Sequence, residues 1–184
     1  IDLLYFSSSE IYGDPPKDQI PTNEDFNGNV SCIGPRSCYD ESKRFCETLC
    51  YYYSSLYKIN IKIVRPFNNY GPGLNINDKR LPADLANSIV NNKDIKIFSD
   101  GKPTRSYCYI SDAVTAYFLA LVYNKFDIFN VGNDEEEISV KNLTMNYVNI
   151  ARKILNYNGK VYFKKSADPE YLTNNPNRRC PNIL

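Results

Sequence analysis

A tyrosine at position 39 and a lysine at position 43 stand four residues apart in "CYDESKRFCETLCYYY". In a helix that spacing puts both side chains on one face. A free phenol titrates at about pH 10 and is a poor base at neutral pH. A nearby ammonium favours the phenolate, and a tenfold gain in acidity corresponds to about 1.4 kcal/mol. Upstream, Ser7, Ser8, Ser9 and Glu10 directly follow the apolar run "IDLLYF". A hydroxyl from Ser8 can hydrogen-bond and orient an alcohol whose proton the phenol takes. Serines at a strand exit also simply cap turns, and Tyr-x-x-x-Lys pairs arise by chance on ordinary helices. The chemistry therefore depends on a fold that brings strand exit and helix face together.

The order of elements supplies such a fold. "IDLLYF" (1–6) reads as a buried strand and 13–36 as a polar, Pro-containing loop. Apolar and aromatic positions recur at helical spacing over 39–57. "INIKIVRPF" (59–67) alternates as a strand, and "NNYGPG" closes it as a loop. Helices are predicted over 81–92, 111–124 and 139–156, the second with Ser111 or Asp112 near its N-cap. Short strands are predicted at 95–98, 106–110, 126–132 and 160–165, with "SDGKPTR" as a turn. Strands alternating with helices imply an α/β fold on a parallel sheet, in which ligands bind at the carboxyl ends of the strands. Segments around 81–98 and 160–184 look like a second lobe. Both ends of the sequence look cut, so a partial chain is expected.

Composition narrows the function. The 184 residues carry 22 basic and 21 acidic side chains, a net charge of +1, which gives no electrostatic case for nucleic acid or an anionic membrane. No apolar run reaches the ~20 residues of a spanning helix, and the first residues lack the basic n-region of a secretory signal. Histidine is absent, which removes Ser-His-Asp and Cys-His nucleophilic schemes and argues against a metal site. Six cysteines at 32, 38, 46, 50, 108 and 180 include no CxxC pair. They read as buried or semi-buried thiols of a reducing, cytoplasmic compartment.

Taken in order, "SSSEIYGDP", "GPRSCYDESKRFCETL", "RPFNNYGPG", "DGKPTRSYCYISDA", "FNVGN" and "NPNRRCPNI" resemble the extended short-chain dehydrogenase/reductases that act on nucleotide sugars. The resemblance covers nearly the whole chain. It implies the C-terminal part of a Rossmann-like sheet, about 1–70 and 105–133, with a small substrate-binding lobe, about 71–104 and 134–184. It implies NAD as cofactor, with Tyr39 as catalytic base and Lys43 tuning Tyr39 and holding the nicotinamide ribose. Ser8 takes the Ser/Thr position of the triad, Pro66 and Phe67 lie by the nicotinamide, and Ser7 belongs to the same cofactor edge. The eight glycines cannot make the Gly-rich pyrophosphate loop of the family. The N-terminal half that carries that loop is therefore expected to be absent, and the chain alone is expected to bind NAD poorly.

The resemblance also implies the start of the reaction. Tyr39 takes the proton of a sugar 4-hydroxyl while the hydride at C4 passes to NAD. The 4-keto sugar can then be epimerised, can lose water across C5 and C6, or, as a uronate, can lose CO2. Dehydratases of deoxythymidine-diphosphate-glucose carry Asp-Glu after the triad serine, and ordinary 4-epimerases usually lack the glutamate. Ser9-Glu10 is similar to UDP-glucuronate decarboxylases (UDP-xylose synthases), although GDP-mannose 4,6-dehydratases share it. "GPRSCYDESKR" and "NPNRRCPNI" look most like the decarboxylase. In that family Ser9 and Glu10 sit by C5 and the carboxylate, and Arg105 faces the carboxylate or the phosphates. Arg80, Arg105 and Arg179 fall at substrate or phosphate positions, with Arg178 as the alternative to Arg179, and Asn68 falls where the sugar diphosphate is touched. Arg36 is read as part of the loop before the helix.

Three departures stand against the decarboxylase pattern: Ser42 for its usual glycine, "NNY" after Phe67, and Asn182 for an aspartate. The alternatives are a 4,6-dehydratase or 4-epimerase and, from another class, a non-catalytic binding remnant. Family members commonly pair through the Tyr-Lys helix, so a homodimer is implied. Tyr51, Tyr52, Tyr53 and Tyr57 could supply that face, or could pack within the chain.

Overall fold

The computed structural model describes residues 2–164 and 178–183, so Lys165 of the last predicted strand and Asn175–Asn177 of "NPNRRCPNI" lie outside the described residues. Strands β1 (Asp2–Phe6), β2 (Asn60–Pro66) and β6 (Asp127–Val131) form a parallel sheet in the order β1-β2-β6. Helix α1 (Ser37–Tyr57) covers one face, where Cys50 packs with Ile61 and Ile63. Helix α3 (Ile110–Val122) covers the other, where Ala113 and Ala120 meet Val64 and Val131.

With both faces covered, the charged residues of β2 are buried, unlike those of a half-buried strand. Lys62 is 0% exposed, and its Nζ lies 2.6 Å from Asp2 Oδ1. Arg65 is also buried. It meets Glu47 of α1 through Nε–Oε1 at 3.0 Å and a second nitrogen to Oε2 at 2.7 Å. Arg65 also donates to the Tyr12 hydroxyl at 2.8 Å and the Glu24 carbonyl at 2.7 Å. This network fixes α1, and with it the Tyr39 turn, against the centre of the sheet.

A second sheet is built around β5 (Thr104–Tyr109). Its C-terminal half pairs in parallel with β3 (Asn68–Tyr70). Its first residues pair antiparallel with β7 (Glu137–Ser139) and parallel with β9 (Arg178–Arg179). A third, two-stranded sheet joins β4 (Ile95–Ile97) to β8 (Val161–Phe163). Helices α2 (Leu81–Val90) and α4 (Val140–Leu155) cover it, with Leu85, Ile89, Ile95, Ile97 and Val148 in one core.

Several local expectations are corrected. Asn68–Tyr70 is a strand rather than loop, and β5 begins at Thr104, inside the predicted turn. The N-cap of α3 is Tyr109, not Ser111 or Asp112, because the strand runs straight into the helix. Ser111 instead bonds Asp112 Oδ1 at 3.0 Å. The cysteines are free thiols, but Cys32 and Cys38 are exposed, because the loop before α1 and its first turn stand out from the core. Tyr52, Tyr53 and Tyr57 are exposed on α1, while Tyr51 also meets Phe126 edge-on at 5.8 Å. No helix among the described residues is long and apolar enough to cross a membrane.

Candidate active site

The carboxyl ends of β1 and β2, the start of α1 and one edge of the second sheet enclose a cleft of about 1520 Å³. Ser7, Ser8, Ser9 and Glu10 reach it because β1 ends at Phe6 and the chain turns into a short 3-10 helix, Ser9–Tyr12. Ser8 caps that helix, its Oγ accepting from the Glu10 N–H at 3.2 Å. As an acceptor there it keeps its own hydroxyl proton free to donate. Both readings of the serines therefore hold together: Ser8 caps a turn and lines the cleft. Ser7 Oγ is buried and makes no hydrogen bond among the described residues. Gly13, closing the 3-10 helix with φ of 64°, cannot carry a Cβ, which would lie 2.0 Å from the Asn29 carbonyl oxygen.

Tyr39 stands in the first turn of α1 and lines the same cleft as the serines. Lys43 is one turn further on. Its Nζ donates to the Phe6 carbonyl at 2.8 Å and lies 5.9 Å from the centre of the Tyr39 ring. The lysine is not on the cleft wall itself. Pro66, Phe67, Asn68, Arg80 and Arg105 do line the cleft. Phe67 is buried against Tyr12, with ring centres 6.2 Å apart, and the Asn68 amide donates to the Ser106 carbonyl at 3.1 Å.

Arg80 is held by Asp78, Nε to Oδ2 at 2.9 Å, and remains mostly exposed. Arg105 donates to the Thr104 carbonyl at 2.7 Å. Burial, together with the repulsion of Arg179, pulls its pKa down to about 10. Neighbouring guanidiniums without enough counter-charge make the site receptive to an anion.

Glu10 is the focus of that charge. Both terminal nitrogens of Arg179 donate to its carboxylate, one of them to Oε2 at 3.0 Å, and Arg36 reaches Oε2 at 2.9 Å. Burial alone would raise the Glu10 pKa. Arg179, then Arg36 and Arg105, outweigh it and hold the group below its ordinary value. Arg179 is buried behind Glu10, off the cleft wall, and its Nε makes no hydrogen bond among the described residues. Arg178 turns away to Glu137, with Nε 2.7 Å from Oε1. Successive residues of a strand point to opposite sides, so the two arginines of β9 are separated by geometry.

Arg36 and Tyr107 also line the cleft and were not anticipated. Tyr107 follows Arg105 at the period of a strand and carries a phenol that burial raises to about 12. Arg36 lies three residues before Tyr39, a helical spacing that could have flagged it.

Comparison with known proteins shows the family and the fold. The model of the NAD dependent epimerase/dehydratase family matches residues 1–132. The chain is 32% identical over 181 residues to UDP-glucuronic acid decarboxylase 1 of Xenopus tropicalis, covering 98% of this chain and 40% of that protein. It is 40% identical over 134 residues to UDP-glucuronic acid decarboxylase 3 of Arabidopsis thaliana, covering 73% of this chain and 39% of that protein. The fold superposes on UDP-glucose 4-epimerase of Thermotoga maritima with a TM-score of 0.81 at 20% identity, over 100% of this chain and 55% of that one. It superposes on UDP-glucuronic acid 4-epimerase of Bacillus cereus, solved with UDP-glucuronic acid and NAD, with a TM-score of 0.70 at 26% identity. That match spans 98% of this chain and 52% of the other. The chain thus spans about two fifths of the length of the curated relatives it matches.

Proposed function

The chain belongs to the NAD dependent epimerase/dehydratase family, and from that premise we propose that it carries the substrate-side part of a nucleotide-sugar enzyme. The reaction is the decarboxylation of UDP-glucuronate to UDP-xylose through a 4-keto intermediate. The observation that supports it is Glu10, beside Ser9 on the cleft wall and clamped by Arg36 and Arg179 with Arg105 close by. A lowered pKa keeps Glu10 ionised at neutral pH. Ser9 stands where the deoxythymidine-diphosphate-glucose dehydratases carry an aspartate, and its hydroxyl is a far poorer acid for protonating a departing hydroxyl. A 4-epimerase acting on an uncharged sugar has no use for surplus guanidinium beyond the diphosphate. A uronate brings both a diphosphate and a carboxylate to such a site.

The Tyr39 end of the cleft fits a nicotinamide, since it offers the apolar Phe67 and the Ser7 hydroxyl, which makes no hydrogen bond among the described residues, with the Lys43 ammonium anchored one helical turn from Tyr39, off the wall. Ser7, Tyr39, Lys43, Pro66 and Phe67 would hold that part of an NAD. NAD, when bound, would accept the hydride from sugar C4. Tyr39 takes the proton from the 4-hydroxyl, and Ser8 donates a hydrogen bond to the same oxygen and orients it. Lys43, fixed by the Phe6 carbonyl, sets its charge beside the Tyr39 ring. With C4 a ketone, the C6 carboxylate is a β-keto acid. CO2 leaves as the electrons of the C5–C6 bond pass to the C4 oxygen, on which Tyr39 now donates a hydrogen bond. Ser9 and Glu10 manage the proton returned to C5. The hydride would then return to C4 as Tyr39 gives its proton back to the C4 oxygen, which closes the balance at UDP-xylose with the cofactor restored.

The test is a product screen on the complete natural protein supplied with NAD. UDP-glucuronate is expected to yield CO2 and UDP-xylose by mass detection. A 4-keto-6-deoxy product from UDP-glucose, or UDP-galacturonate from UDP-glucuronate, would establish the dehydratase or the epimerase instead. No product from any nucleotide sugar would favour the binding remnant.

A further inference from the structure

Glu10 cannot serve as a base while two guanidiniums hold its carboxylate. One of them has to let go, and the structure distinguishes the two. Arg179 is buried, its side chain 8% exposed, and donates from both terminal nitrogens. It is also anchored through β9 to β5, with Arg105 as its register partner. Arg36 holds Glu10 by a single nitrogen, with its side chain 42% exposed and on the cleft wall. It precedes α1 with no side-chain cap bond to hold it. Its other acidic neighbour, Asp40, is at 4.0 Å, the outer limit of an ion pair. Burial pushes the Asp40 carboxyl up, despite the opposing pull of Arg36.

We propose that Arg36 exchanges carboxylates: it holds Glu10 in the ligand-free cleft and passes to the carboxylate of an anionic sugar when substrate enters, which frees Glu10. The inference rests on the uronate reading above and deepens it by naming the residue that recognises the sugar's charge. The exchange keeps a guanidinium–carboxylate pair in both states, so the unfavourable event, an unpaired buried charge, never occurs. It also couples substrate charge to catalysis, because an uncharged sugar leaves Arg36 on Glu10. Arg105 and Arg179 are less suited to the role, one bonded to its own strand's carbonyl and the other closed off behind Glu10.

Equilibrium binding tests this without turnover, using the complete protein with UDP-glucuronate and with UDP-glucose as the uncharged probe. Arg36→Ala is expected to weaken UDP-glucuronate by about tenfold or more, about 1.4 kcal/mol, with UDP-glucose changed less than about twofold. Arg36→Lys, which keeps the charge, is expected to restore most of the difference and guards against an unfolded alanine variant. Glu10→Gln removes the resident competitor and is expected to tighten UDP-glucuronate but not UDP-glucose. Equal losses for both ligands in Arg36→Ala would make Arg36 a phosphate contact or a structural residue and overturn the proposal. Weaker UDP-glucuronate binding in Glu10→Gln would overturn it too. If the exchange holds but no UDP-xylose forms, the decarboxylation reading alone has failed.

Discussion

Replacing Arg65 by methionine is expected to destabilise the protein out of proportion to the bonds it removes. Arg65 and Glu47 have side chains only 7% and 11% exposed and meet through two parallel bonds. Removing one partner of such a pair costs about 3–5 kcal/mol, because the other charge is left buried and unpaired. Here the Tyr12 hydroxyl and the Glu24 carbonyl also lose a donor. For a chain of this size about 1 kcal/mol moves Tm by about 2–4 °C, so the variant is expected to melt about 6–20 °C lower. The assay is thermal and urea unfolding by circular dichroism on wild type, Arg65→Met, Glu47→Leu and the double variant. Most of the cost comes from the stranded carboxylate, so the double variant is expected to be more stable than Arg65→Met alone. A double variant equal to or below the single would refute this. The net attraction of the pair, rather than the stranded charge, would then hold α1 to the sheet.

Tyr39→Phe is expected to lower turnover of UDP-glucuronate by about 10²–10⁴-fold with Tm unchanged, since Tyr39 is 43% exposed. Wild-type-like turnover would remove it as the base. Glu10 should add an acid-labile contribution to stability. Its folded pKa lies below that of the unfolded carboxyl, so the stabilisation is complete above the unfolded value of about 4.3 and is lost as pH falls through the folded one. Unfolding free energies from pH 6 to 3 are expected to fall more steeply for wild type than for Glu10→Gln below about pH 4.5. Equal slopes would count against the arginine clamp.

The α/β order, the four helices and the parallel sheet could be read because long amphipathic periods and alternating strands leave a clear pattern. β3, β7 and β9 are two or three residues long, too short for any period, and exist only because β5 offers edges to pair with. Lys62 occupies the polar phase of an alternation that normally faces water, and Arg65 falls in the phase of Ile61 and Ile63 that faces α1. Only their ion pairs with Asp2 and Glu47 show why they are inside. The serine exit, Tyr39 and Arg105 were visible as motif residues, and the structure sets them on one cleft. Arg36 was missed because its meaning depends on Glu10, which is distant in sequence and meets it only after α1 docks. Cys32 and Cys38 show that a small apolar residue type does not by itself predict burial.

The contact between Glu10 and Arg179 joins residues 169 positions apart. Long-range closures of this kind come late in folding, after local elements have formed. Until β9 aligns beside β5, the cleft lacks one of the two cations that hold Glu10 in place. The placement of the cleft's carboxylate is thereby tied to completion of the whole fold rather than to the docking of α1 alone.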